Sequence, residues 1–165
     1  MIADLSSDAL VRVFASEPAM SPTFATELAA AIGKLLAQFT REGRCATTSA
    51  AVEGHGRFLV IAWEGPPLSG CSHDKIAQVI ATHEARSGCA VLAAPPIAIG
   101  KDAVCLTDRA GLRRLLATAA CDGDTPVWNL RAARLGEWRL SPVPLRSTPW
   151  ALLTRESAAH AGGLS

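Results

Sequence analysis

The possible folds of this chain of 165 residues are limited most strongly by one stripe of apolar residues at helical spacing. Ser21-Pro22 is a typical helix start, because serine caps free amides and proline fits the first helical position. Glu42-Gly43 ends the pattern. Such a stripe is buried against a second layer, so the sequence predicts a long helix packed on a sheet. The stripe consists of Phe24, Leu28, Ile32, Leu35, Leu36 and Phe39.

Strand-like segments lie on both sides of that helix, and a second helix follows them. The turn Gly54-His55-Gly56 joins two of the segments as a hairpin. The order β-α-β-β-α-β over residues 9–94 is that of a ferredoxin-like sandwich, in which two helices cover one face of an antiparallel sheet. We therefore predict the α+β class. The strands are expected at residues 10–15, 46–53, 57–63 and 89–94, and the second helix from Ser72 to Gly88.

The remainder predicts an extension, residues 95–155, packed on this core within one α+β domain spanning residues 1–155. It should hold two short strands around Gly100-Lys101-Asp102, a helix capped by Asp108 and a further strand at residues 125–130. From residue 131 an irregular run rich in proline and tryptophan predicts an extended arm. Residues 156–165 are expected to be a disordered tail.

Composition excludes several classes of protein. The net charge of +1 provides no field that draws the chain to membrane or nucleic acid. The basic last third carries tryptophans that suggest RNA contact, but the stacking aromatics of a ferredoxin-like RNA binder are missing from the predicted sheet, so nucleic acid is not the expected partner. The five cysteines are widely spaced without a CxxC pair, which argues against disulfides and zinc. Without a signal peptide or transmembrane run, we expect a cytoplasmic protein.

The candidate site is Gly70-Cys71-Ser72-His73-Asp74, where four reactive side-chain types stand together at the predicted helix start. Ser72 is the expected N-cap, with Asp74 in the first turn and Cys71 just before the helix. Three interpretations remain open. Cys71 packs on Ile76 as a hydrophobic staple, the free amides bind an anion, or the helix start lowers the pKa of a reactive thiol.

The leading functional hypothesis is a binding module for a small anionic ligand or a protein partner. The amides of Cys71, Ser72 and His73 would donate to the ligand, and Trp150 would close over the turn. No cofactor or metal is expected, because Cys71, His73 and His55 lack a fourth ligand. The predicted ligand-binding residues are Gly70, Cys71, Ser72, Asp74 and Trp150.

Two alternatives belong to other classes. A thiol-dependent enzyme would use Cys71 as nucleophile, with His73 or His55 as its base. A structural homo-oligomer, in the simplest case a homodimer, would form through an open sheet face or an unpaired edge.

Two motifs resemble those of an uncharacterised family of small bacterial proteins. They are Gly70-Cys71-Ser72-His73-Asp74 and, near the C-terminus, Ser147-Thr148-Pro149-Trp150. The likeness covers residues from about 10 to 152. The chain departs from the family pattern at His73, where isoleucine is usual, and in the wider spacing of its last motif. The resemblance implies no particular activity.

Some members of that family carry the label ABC transporter ATPase, which this sequence does not support. A P-loop needs GxxxxGK[ST], because its glycines let backbone amides surround the phosphates. The Gly-Lys pairs at residues 33–34 and 100–101 are followed by Leu35 and Asp102 instead of serine or threonine. The sequence therefore predicts no nucleotide-binding loop.

Overall fold

The structure is a computed structural model that describes residue 2, residues 5–92 and residues 96–154. It is a mixed α and β structure with two antiparallel four-stranded sheets, which confirms the α+β class. The chain divides into two compact units. Unit 1 is Met1–Pro95 with Leu130–Arg139, and unit 2 is Pro96–Asn129 with Leu140–Ser165. The predicted disordered tail and the end of the predicted strand at 89–94 lie outside the described residues.

Unit 1 begins with the predicted order of elements. Its sheet has the strand order β2-β3-β1-β4, and neighbouring strands are antiparallel throughout. The elements are β1 (Leu10–Glu17), α1 (Pro22–Arg41), β2 (Thr48–Glu53), β3 (Phe58–Trp63), α2 (Gly70–Ser87) and β4 (Ala90–Leu92).

The long helix α1 carries the predicted stripe. The Ser21 side chain caps it by accepting from the Phe24 amide at 3.2 Å. Every stripe residue except the partly buried Leu35 is at most 7% exposed. These side chains pack with α2 against one face of the sheet, and full burial of each contributes about 1.5–3 kcal/mol. The sheet residues in this core include Phe14, Leu59, Ile61 and Trp63.

Residues 130–139 cover the opposite face of this sheet. The side chains of β3 alternate between the two faces, and that of Phe58 points away from the helical core. The Phe58 and Trp138 rings meet edge to face, with centroids 5.3 Å apart. Trp138 also donates from Nε1 to Glu53 at 2.9 Å and lies on a short helix, α4 (Leu135–Arg139). The predicted extended arm is therefore wrong here. The sequence signal for α4 was the i, i+3 spacing of Leu135 and Trp138, which are both buried.

Unit 2 holds a smaller sheet with the strand order β6-β5-β7-β8. Asp108 caps α3 as predicted, accepting from the Gly111 amide at 2.6 Å. None of the helices in the described ranges has the length and apolarity needed to cross a membrane. The elements are β5 (Ile97–Ile99), β6 (Cys105–Thr107), α3 (Arg109–Ala117), β7 (Pro126–Trp128), β8 (Val143–Pro144) and a 3-10 helix (Leu145–Ser147).

Candidate functional site

Helix α2 begins at Gly70, earlier than predicted, and Ser69 rather than Ser72 is its N-cap. Ser69 has extended backbone angles (φ −66°, ψ 161°), and its side chain accepts from the Ser72 amide at 3.3 Å. This start puts Ser72 and Ile76 on the same buried helix face, one turn apart. Cys71 therefore lies inside the first turn, and Asp74 is the fifth helical residue, beyond the reach of the strongest dipole effect.

Ser72 anchors the helix start from a fully buried position, with 0% of its surface exposed. Its hydroxyl accepts from Nη1 of Arg44 at 2.9 Å and lies 3.1 Å from the Ser69 hydroxyl. Arg44 also pairs with Glu42 at 2.6 Å and lies over the Phe39 ring. The loop that follows α1 is thus tied to the first turn of α2.

His73 is held by a second arginine, which comes from β1. Nη1 of Arg12 lies 2.8 Å from Nδ1 of His73. A guanidinium only donates, so Nδ1 is the acceptor and the neutral ring carries its proton on Nε2. Burial lowers the pKa of His73 below its ordinary 6.5, and the Arg12 charge lowers it further, against a smaller opposite effect of Asp74. The ring packs edge-on against Trp63.

These contacts bear on each role predicted for the cysteine. Cys71 is exposed and belongs to the helix, so the staple interpretation, in which it precedes the helix and packs on Ile76, is wrong. The lone pair of His73 that could accept a thiol proton is engaged by Arg12. His55 lies in the turn before β3, whereas Cys71 follows that strand, and six extended residues span about 20 Å. The structure does not bring Cys71 and His55 together.

Two backbone donors remain at the helix start. The amides of Ser72 and His73 donate to the Ser69 carbonyl at 3.0 and 3.1 Å, so these two predicted ligand donors are already engaged. Among the described residues, the amides of Gly70 and Cys71 have no hydrogen-bond partner. The first turn carries no acidic residue, while two arginines contact it. Positive charge at a helix N-terminus is the opposite of the usual preference.

Sequence reasoning missed both arginines. Arg12 had a signal, because it stands between Leu10 and Phe14 on the strand face that packs against the helices. Arg44 had no such sequence signal, since its contact with Ser72 depends on the tertiary path of the loop after α1. Trp150 belongs to unit 2 and packs on that unit's core. Its closure over the α2 turn stays a prediction.

The lowered pKa of His73 predicts a pH-dependent stability. Below its ordinary pKa of 6.5, the unfolded chain binds a proton that the folded chain does not yet bind, so unfolding takes up protons and stability falls with falling pH. This loss ends at the folded pKa. His73→Gln should remove it, because the amide oxygen of glutamine still accepts from Arg12 but does not titrate.

Denaturant unfolding across pH 5 to 8 for both proteins checks the expectation, and other titrating groups cancel in the difference. The gap between the curves should change as pH falls below 6.5. Curves that run parallel over the whole range would contradict the role assigned to His73.

The described residues contain no group of three or more histidine, cysteine, aspartate or glutamate side chains placed to hold a metal ion, and all five cysteines are free thiols. No protein-family model, no curated protein and no solved structure matches the chain.

Proposed function

We propose that this protein is a binding module in which the first turn of α2 holds an anionic group, from a small molecule or from an acidic partner chain. The observation that carries the proposal is the convergence of Arg12 and Arg44 on the adjacent residues Ser72 and His73. Both guanidinium groups lie at the positive end of the helix, where an anion relieves the unfavourable charge.

The donors at this position suit an oxyanion. The Gly70 and Cys71 amides supply the backbone hydrogen bonds that anions commonly receive at helix starts. Guanidinium groups supply charge-assisted bonds, which are stronger than neutral ones. Glu42, which pairs with Arg44, offsets part of that positive charge. A phosphate, sulfate or carboxylate group therefore fits the site by both charge and hydrogen-bond donors.

We further propose that unit 1 is a ferredoxin-like domain and that the protein is cytoplasmic. The first proposal is supported by the strand order β2-β3-β1-β4 and by a helical core on one sheet face. The second is supported by five free thiols, which are typical of reducing compartments. In this fold, the candidate site follows the central strand β3 after the loop of residues 64–69.

At Gly70, the contribution of one backbone amide to anion binding can be tested separately from the rest of the site. It occupies the first helical position, has open space where a Cβ would lie, and follows an extended residue, so proline fits there without strain. Gly70→Pro removes the amide donor, while Gly70→Ala keeps it. We expect phosphate to bind the wild type and Gly70→Ala alike, and to bind Gly70→Pro about tenfold more weakly, the effect of one charge-assisted bond.

Phosphate titration of the full chain at constant ionic strength, followed by ¹⁵N NMR, provides the measurement. The Gly70 and Cys71 amide signals should shift saturably in the wild type. Arg44→Gln should also weaken phosphate binding, while Arg41→Gln, an exposed arginine on α1, should not. Absent shifts, or equal affinity of the proline and alanine variants, would refute the anion site.

The exposure of Cys71 favours one second candidate, a thiol-dependent enzyme with this residue as nucleophile. The variant Cys71→Ala separates the two functions. In the binding module, Cys71→Ala leaves phosphate affinity unchanged, because the backbone amide is retained. The enzyme requires loss of all turnover in that variant. For the homo-oligomer alternative, the face of the unit 1 sheet expected to be open is covered by residues 130–139, so an unpaired edge of that sheet is the interface this alternative would use.

A further inference from the structure

A cleft of about 340 Å³ lies at the far end of α2 from the anion site. The helix has 18 residues, so its two ends are roughly 27 Å apart at 1.5 Å per residue. The cleft is formed where the start of α1 meets the end of α2. Its volume is at the small end of the range for ligand sites and suits a molecule of roughly amino-acid size.

Two opposite charges line this cleft without pairing. Glu27 from α1 and Arg86 from α2 both contribute to its wall. Neither side chain has an ion-pair or hydrogen-bond partner in the described part of the chain, and both are exposed to solvent. A ligand that carries both charges satisfies the two side chains together, whereas a ligand with one charge leaves the other group unmatched.

His83 and Phe24 define the remaining wall. Nδ1 of His83 lies 2.8 Å from the Val79 carbonyl, which can only accept, so the neutral ring presents the lone pair of Nε2 as an acceptor. Phe24 is 7% exposed and forms the apolar part of the cleft. The wall therefore offers a cation, an anion, an additional acceptor and an apolar surface.

We propose that this cleft binds a zwitterion of the α-amino acid class with an apolar side chain. Arg86 holds the carboxylate, Glu27 and Nε2 of His83 accept from the ammonium group, and the side chain lies against Phe24. This site is separate from the first turn of α2, uses none of its residues and does not depend on the function proposed there.

Three probes of similar shape test the proposal on the full chain by ¹⁵N NMR titration. L-leucine carries both charges, isocaproate lacks the ammonium group, and isoamylamine lacks the carboxylate. L-leucine should give saturable shifts at the Glu27, His83 and Arg86 amides. The two other probes should bind about tenfold more weakly, the value of one charge-assisted interaction.

The effect of each substitution on affinity should depend on which charges the probe carries. Arg86→Gln is expected to weaken L-leucine and isocaproate but not isoamylamine. Glu27→Gln is expected to weaken L-leucine and isoamylamine but not isocaproate. Arg41→Gln, outside the cleft, should change none of them. The proposal is overturned if L-leucine produces no saturable shift up to its solubility limit, if the three probes bind equally, or if neither variant weakens L-leucine.

Discussion

Trp138→Ala is expected to lower the free energy of unfolding by about 3–5 kcal/mol, the range for a large aromatic removed from a core. The side chain is 3% exposed and covers the sheet face opposite the helices. Its loss removes the edge-to-face contact with Phe58 and leaves Glu53 without the indole donor. Denaturant unfolding monitored by circular dichroism measures the change.

Two further variants make this result specific. Trp138→Phe keeps an aromatic ring beside Phe58 but loses the Nε1 donor, so it should cost about 1–2 kcal/mol. Leu140→Ala removes a large side chain that is 74% exposed, and it should stay within about 0.5 kcal/mol of wild type. If Trp138→Ala were as mild as Leu140→Ala, residues 130–139 would not form part of the core of unit 1.

Gly56→Ala is expected to cost more than about 3 kcal/mol, because it combines backbone strain with a clash. Gly56 has φ +84°, a left-handed angle that other residues adopt only with strain. A Cβ there would lie 2.4 Å from the Met20 carbonyl oxygen. The Met20 amide also donates to the Gly56 carbonyl at 2.8 Å, so neither backbone segment moves away without losing this bond.

Gly43→Ala is the matched control for this prediction. Gly43 has a similar φ of +71°, but nothing lies within 4 Å of its added Cβ. It should therefore show only the strain of the left-handed angle, roughly 1–2 kcal/mol. The difference between the two variants, read from denaturant midpoints at constant slope, isolates the clash. Equal losses would mean that the turn before β3 shifts freely away from Met20.

Local chemistry explains why the helices of unit 1 were largely predictable. The start of α1 depends on Ser21 and Pro22 alone, and its stripe depends on spacing within one helix. The end of α2 is equally local, since Gly88 has the left-handed φ of 70° typical of a helix stop. The order of elements from β1 to β4 follows from these signals and from the alternating strands, and it is confirmed.

The start of α2 was mispredicted because Ser69 and Ser72 are both suitable caps. In the structure Ser69 is the cap, and Ser72 instead contacts Arg44, which is 28 residues away in sequence. The same holds for His73, whose partner Arg12 is 61 residues distant. Alternation along β1 places Arg12 on the face toward the helices, but no local pattern specifies which residue either arginine contacts, so the two cations beside the residues proposed as a site could not be assigned from the sequence. The brief helix α4 was missed because its signal, the i, i+3 spacing of Leu135 and Trp138, covers a single helical turn.

The discontinuity of unit 1 has a consequence for how the chain is made. Ribosomal synthesis delivers β1 to β4 first, then residues 96–129 of unit 2, and only afterwards Leu130–Arg139. Until Trp138 emerges, the sheet surface around Phe58 lacks its cover, and the nascent chain presents apolar area to the surrounding solution. Completion of unit 1 therefore waits until residues 130–139 have been translated, after β5, β6, α3 and β7 of unit 2.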